Sequence, residues 1–215
     1  MAGEKYDVVV AGGGISGAIA AIAAARLDAR TIVIEQHGFL GGMLTASGVG
    51  PMMTFHAGDS QVIRGITGEL VDRLKAKGLS PGHIVDSVGY TSTVTPFDIE
   101  GMKVELEQML DEADGVALYH TFIPGVKMLE TDSGDRRISS LEICNKAGRS
   151  YFAGNVFIDA TGDADIAAWS GVPCTKGRAA DGKTQPMTMK IRLYNIDIEA
   201  VKQDIRNRID KFPRL

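Results

Sequence analysis

The chain has 215 residues, 44% of them hydrophobic and 23% charged, with a formal net charge of −4. That is the composition of an ordinary globular protein with room for a sizeable core, in one domain or one and part of a second. No Lys/Arg stripe points to nucleic acid, and no secretory leader or membrane span is present, so a cytoplasmic protein without nucleic-acid or membrane partners is expected.

In chain order, an apolar strand over 6–11 runs into Gly12-Gly13-Gly14-Ile15-Ser16-Gly17, a Gly-x-Gly-x-x-Gly turn. Gly12 permits a tight turn, Gly14 lets backbone approach a pyrophosphate, and Gly17 lets the following helix pack closely on the sheet. An Ala-rich helix over 14–28 follows. Its first N–H groups, around Ile15 and Ser16, are unpaired within the helix and carry partial positive charge, which favours a phosphate there without any lysine. A second strand over 31–35 ends in Glu35, at the spacing where a carboxylate accepts hydrogen bonds from a ribose. Strand, glycine turn, helix and acid together predict dinucleotide binding.

Further on, an amphipathic helix over 63–77 shows Ile66, Leu70, Val71 and Leu74 on one face and ends at Gly78. Residues 80–97 read as a Gly/Ser/Thr/Pro-rich connection, after which Asp98 caps a helix over 99–113 bearing Met102, Leu106, Met109 and Leu110. A strand over 116–122, alternating segments over 125–131 and 137–145, and a short strand from Ser150 to Phe152 compose a small antiparallel meander. The unbroken apolar run from Val156 to Ala160 reads as a central parallel strand buried on both faces. A helix is expected near 163–170, an alternating strand over 186–193, and a last helix capped by Asp197 with Val201, Ile205 and Ile209 on one side. Cys144 and Cys174 match no Cys-x-x-Cys spacing, and His37, His56, His83 and His120 form no metal-ligand pattern, so neither disulfide redox chemistry nor a metal site is expected.

The stretch Leu40-Gly41-Gly42-Met43-Leu44-Thr45, then Gly65-Ile66-Thr67-Gly68-Glu69-Leu70, and later Ala160-Thr161-Gly162-Asp163 complete a motif set. With the glycine turn and Glu35, it resembles the FAD-dependent oxidoreductases with the glutathione-reductase-like FAD fold, over almost the whole chain to about residue 195. The resemblance implies an α/β architecture: a Rossmann-like FAD-binding domain over 1–185 with a parallel sheet, an insertion at about 46–97, and a meander at about 124–152. Residues 186–215 would begin an incomplete substrate or cap domain. It places Gly12, Gly14, Ile15, Ser16 and Gly17 at the pyrophosphate and Glu35 and Gln36 at the adenosine ribose. Gly41, Gly42, Met43 and Thr45 then fall along the diphosphate and ribityl side, Ile123 at adenine, and Ala160, Thr161 and Gly162 near the adenosine half.

The implied function is a flavoprotein oxidoreductase that uses FAD on a small organic substrate. An NAD-dependent dehydrogenase or a non-catalytic dinucleotide-binding subunit fits the first βαβ unit as well. Residues 48–56, too apolar for a solvated loop, are expected beside the isoalloxazine ring or the substrate, with His56 a candidate base there. Arg64 and Arg178 are candidates to pair with an acidic substrate. Family members continue well beyond this length, so a completing subunit or a homo-oligomer is expected to supply the remainder of the pocket.

Overall fold

The computed structural model describes residues 5–130, 134, 136–189, 191 and 193–208. The chain forms two compact units, residues 1–86 with 91–174, and residues 87–90 with 175–215. The first unit therefore closes at Cys174, short of the 185 at which the first domain is expected to end.

The first unit opens with β1 (Lys5–Ala11), α1 (Ile15–Ala25) and β2 (Thr31–Ile34). The insertion holds β3 (Met52–Met53), β4 (His56–Ala57), β5 (Ser60–Gln61), α2 (Ile66–Ala76), β6 (Ile84–Val85) and β7 (Thr93–Thr95). It continues through α3 (Ile99–Asp111), β8 (Val116–Leu118), β9 (Phe122–Glu130), β10 (Arg136–Asn145), β11 (Gly148–Asp159) and α4 (Asp165–Ser170). The main sheet runs β8-β2-β1-β11-β10-β9, and β3, β7 and β6 make a small separate sheet. Strands β8, β2, β1 and the second half of β11 are parallel; β9, β10 and the first half of β11 are antiparallel.

Two sequence expectations change here. The short strand at 150–152 and the apolar run at 156–160 are one twelve-residue strand. It pairs with β10 up to Ala153 and with β1 from Ala153 onward. At Gly154 the strand lies against Val9, close enough that a Cβ there would stand 2.7 Å from Val9 Cγ2. The meander thereby folds over one face of the parallel strands: Leu141, Ile143 and Phe152 pack with Val9, Ala11, Ile32 and Ile34. On the other face Val10 and Val33 pack with Ala18, Ala21 and Ile22 of α1 and with Leu70, Leu74, Met102 and Leu106 of α2 and α3. Alternate residues of β1 and β2 thus feed two cores, which is why their runs are apolar without a break. The run from Val156 to Ala160 is not buried on both faces as expected: Val156 is 52% exposed, and residues 157–160 are only partly buried. The six-residue α4, about 9 Å long, is too short to shield a strand of about 40 Å.

The expected strand over 116–122 is also two elements. After Leu118 the chain turns through His120, at φ 50°, before β9 begins. The Leu118 carbonyl accepts Glu35 N–H, while His120 N–H and Thr121 N–H donate to the His37 and Glu35 carbonyls. The turn therefore seals the end of β2.

The three helices on the other face are joined by charge. Glu105 of α3, only 1% exposed, accepts from Arg73 at 3.1 Å and from Lys77, both on α2. Arg26 at the end of α1 meets Glu69 of α2 at 2.6 Å, and Arg73 also reaches Glu112.

In the second unit, Asp197 Oδ1 accepts the Ala200 N–H at 3.0 Å and opens α5 (Ile198–Asn207). Ile209, expected on its apolar side, lies outside the described residues. The strand expected over 186–193 is not formed: residues 186–189, 191 and 193 carry no regular structure, and Lys190 and Arg192 lie outside the described residues. Alternation yields a strand only when a neighbour takes the backbone bonds, and the described residues of this unit contain no such neighbour.

Candidate functional site

The end of β1 sets the site. Gly12 takes φ 91° at the turn, and a Cβ on it would lie 2.7 Å from the Ala160 carbonyl oxygen. Any side chain would be both strained and blocked. Gly17, in the first turn of α1, lies so close to the Gly12 carbonyl that a Cβ would stand 1.9 Å from its oxygen. These two positions pin the helix start to the strand end and bring Ala160, at the end of β11, alongside.

Gly14 differs from its neighbours, for nothing lies within 4 Å of a Cβ built there. It precedes α1, whose N-terminus has no side-chain cap hydrogen bond and no acidic residue in its first turn. The first intrahelical donor is Ala18 N–H, bonded to the Gly14 carbonyl at 2.8 Å. The amides of Ile15, Ser16 and Gly17 therefore form an uncapped donor set with positive helix-end potential, next to the open face of Gly14.

Glu35 closes the pocket from β2. It is 5% exposed, with Oε2 accepting the Gly13 N–H and Oε1 accepting the His37 N–H, each at 2.7 Å. A carboxylate has about four acceptor sites, so two remain after these bonds. Sequence reasoning missed this use of Glu35 as a latch on the glycine turn; Gly13 sits in the motif's variable position and gives no signal of it.

A second glycine loop lies against the first. Gly41 N–H donates to the Gly13 carbonyl at 2.8 Å, and Gly14 and Gly41 form a parallel bridge. Thr45 is buried and its hydroxyl donates to the Leu40 carbonyl at 2.7 Å, so its proton holds the loop closed rather than pointing outward. Met43 is 62% exposed and Gln36 is exposed, next to the buried Glu35. Ile123 is half-buried and packs with the second core cluster.

After β11 the Ala160-Thr161-Gly162 segment is organised by Asp159. Its Oδ1 accepts Thr161 N–H at 3.0 Å and the Thr161 hydroxyl at 2.6 Å, and its Oδ2 accepts Ala167 N–H at 2.8 Å. Thr161 Oγ1 in turn accepts the Asp165 N–H at 2.9 Å. A polar residue ending an apolar strand was the available signal for Asp159, which the sequence reading passed over. Gly162, like Gly14, has nothing within 4 Å of a Cβ.

The other candidates are accounted for locally. Arg64 donates to the Gln61 carbonyl, and Arg178 is paired with Asp181 at 2.6 Å. That pairing holds the Asp181 carboxyl below its ordinary range. Cys144 and Cys174 are free thiols. Among the described residues no three His, Cys, Asp or Glu side chains are grouped to hold a metal, and no helix is long and apolar enough to cross a membrane.

The chain is 29% identical over 110 residues to the mitochondrial dihydrolipoyl dehydrogenase of Schizosaccharomyces pombe, covering 51% of this chain and 17% of that protein. Its fold is similar to that of THI4 from Thermovibrio ammonificans, with a TM-score of 0.55 at 18% identity over 77% of this chain and 61% of that one. It is also similar to L-proline dehydrogenase from P. horikoshii, with a TM-score of 0.55 at 18% identity over 79% and 56% of the two chains. This chain thus spans less than two thirds of each relative's length. A family model described as FAD dependent oxidoreductase matches residues 7–214, which selects FAD over NAD as the cofactor. Matched over nearly its whole length, this chain belongs to the FAD dependent oxidoreductase family.

Proposed function

We propose that the pocket between α1 and the two glycine loops holds FAD and that the protein is an oxidoreductase acting on a small organic substrate. The observation that carries this reading is the open face of Gly14 above an uncapped helix start, flanked by the buried Glu35 carboxylate. A diphosphate suits the amides of Ile15 and Ser16, because its charge complements both the donors and the helix end. The free acceptor sites of Glu35 suit ribose hydroxyls, with the exposed Gln36 beside them. Gly41, Gly42 and Met43 offer a second backbone edge to the diphosphate, Ala160, Thr161 and Gly162 line the adenosine half, and Ile123 reads adenine. Thr45 serves by keeping the Gly41–Gly42 loop in place.

When bound, FAD supplies hydride or electron-pair acceptance, and the protein contributes binding, orientation and electrostatics. Glu35 does two jobs in this reading, since it also latches the Gly13 amide that shapes the turn. The test is a titration of the purified chain with FAD, followed by flavin fluorescence and the visible band. Saturable uptake that excess NAD does not displace is expected; failure to take up FAD would reject the reading.

We further propose that another polypeptide, or a second copy, covers the second unit. Met187 is 101% exposed, Met189 88% and Ile191 79%, alternate apolar side chains that would otherwise face water. Light scattering after size exclusion is expected to show an assembly larger than one chain, and a soluble monomer would count against it.

A further inference from the structure

The insertion is held together by very short ladders and by side chains strung between them. β7 pairs with β3 through Met52–Thr95 and Met53–Val94, and with β6 through Ile84–Val94 and Val85–Thr93. Two-residue ladders are too short to stand alone in water. The two outer strands are supported differently. Met52 and Phe55 are buried in the first core cluster and fix β3, whereas the side chains of β6 are exposed, Ile84 by 43% and Val85 by 79%. What ties β6 to β7 beyond its ladder is His83, the residue before Ile84, whose Nδ1 lies 2.7 Å from Thr95 Oγ1.

The hydroxyls define the proton positions. Thr95 is 0% exposed, and the acceptor its O–H meets among the described residues is His83 Nδ1. A buried hydroxyl proton needs an acceptor, so Nδ1 is unprotonated and the ring proton sits on Nε2. The neighbouring His56 is wired alike. Thr54 Oγ1 accepts the backbone N–H groups of His56 and Thr93, each at 3.3 Å, and its own proton goes to Thr93 Oγ1 at 3.0 Å. The Thr93 O–H then donates to His56 Nδ1 at 3.0 Å.

A second proton on His83 has no place in this arrangement. On Nδ1 it would meet the Thr95 O–H head on, and turning Thr95 to accept it would bury the hydroxyl proton without a partner. Phe55 covers the ring at a centroid distance of 4.5 Å, and His56 meets it edge to face at 5.1 Å. The titratable and charged groups facing it are His56 of β4 and Lys75 and Asp72 of α2. Burial first, then His56 and Lys75, hold His83 below its ordinary value, against a smaller opposing effect of Asp72. The folded hairpin thus binds this proton less readily than the opened one. Its contribution to stability is complete above the unfolded value, near pH 6.5, and is lost as pH falls from there through the lower folded value.

We propose that His83 and Thr95 form an acid-released catch: uptake of one proton by His83 frees β6 from β7 while the main sheet stays folded. Opening stays local because the β3-β7-β6 sheet shares no strand with the main sheet and the side chains of β6 already face water. The catch is independent of the cofactor reading, since it belongs to the chain without FAD.

NMR of the full-length chain from pH 7.5 to 5.0 tests it. At pH 7.5 the ring nitrogens of His83 are expected to show the Nε2–H form. Below about pH 6.5, amide protection and cross-strand proton contacts between residues 84–85 and 93–94 should fall, by up to about tenfold per pH unit for one proton, while β1 and β2 keep theirs. His83→Gln offers Thr95 an amide oxygen that does not titrate, so it should keep the hairpin at pH 7.5 and abolish the acid step. His37→Gln, an exposed histidine outside the insertion, should leave that step as in the parent chain. If His83→Gln does not fold, the parent titration still decides. A His83 ring protonated at Nδ1 at pH 7.5, equal hairpin protection at pH 7.5 and 5.0, a fall shared by β1 and β2, or an acid step kept in folded His83→Gln would each overturn the catch.

Discussion

The sharpest contrast in the pocket is between two glycines three residues apart. At Gly14 an added Cβ meets no atom within 4 Å, and the backbone, at φ −57° and ψ 175°, suits alanine without strain. Gly14→Ala lowers the entropy of the unfolded chain, a gain of about 0.4–1 kcal/mol. Alanine is a poorer N-cap than glycine, which offsets that gain and leaves stability within about 1 kcal/mol of the parent. The same methyl group projects into the space assigned to the diphosphate, and forcing it there costs about 1–3 kcal/mol, or about a 5- to 150-fold loss of FAD affinity. At Gly17 the methyl would sit 1.9 Å from the Gly12 carbonyl oxygen, a backbone atom that cannot turn aside. Gly17→Ala should therefore unfold or strongly destabilise the chain before affinity can be measured. Thermal melts with and without FAD, paired with a fluorescence titration, read both quantities. A Gly14→Ala protein that binds FAD like the parent would place the diphosphate elsewhere. A Gly17→Ala protein with an unchanged melting temperature would refute the packing argument.

Glu35→Gln keeps the volume but turns an amide NH2 toward one backbone N–H; the loss of a charge-assisted bond plus an unpaired donor predicts about 2–4 kcal/mol of destabilisation by denaturant melts, in addition to weaker FAD binding. A stability equal to that of the parent would show that the latch on Gly13 contributes little. Glu105→Ala removes the acid shared by Arg73 and Lys77; both cations retain access to water, so about 2 kcal/mol and about 4–8 °C in Tm are expected rather than the full cost of a stranded buried charge. Arg26 lowers the Glu69 carboxyl, and Arg73 lowers that of Glu112. Their contribution is thus complete above the unfolded carboxylate value, near pH 4.3, and is lost as pH falls through the lower folded values. Because these groups are exposed, added salt should flatten that acid limb, and a salt-independent limb would assign it to other groups. Asp159→Ala should raise amide exchange at Thr161 and across residues 165–170, and unchanged protection there would remove Asp159 as the organiser of that turn.

The part of this fold that was legible in the sequence is the part specified by local chemistry. Gly12, Gly14, Gly17 and Glu35 could be placed because a turn, a close approach, an open face and a strand-end acid each demand a residue type at a fixed spacing. The caps at Asp98 and Asp197 could be read for the same reason, since a side-chain oxygen bonds an amide three residues on. What escaped was decided by partners distant in sequence. Nothing in the run from Ser150 to Ala160 says that one strand pairs antiparallel at its start and parallel at its end; that follows from Gly154 passing over Val9, which lies 145 positions earlier in the chain. The alternating residues before α5 show the converse, since a period of two is only an offer of a strand until a neighbour accepts its backbone bonds. His56 and His83 make the same point about chemistry. Separated by 27 positions, they look scattered, and only the two-residue register of Thr93 and Thr95 on β7 turns them into one arrangement. A site held by a cofactor motif can thus be found from spacing, whereas a site held by a strand register needs the pairing first.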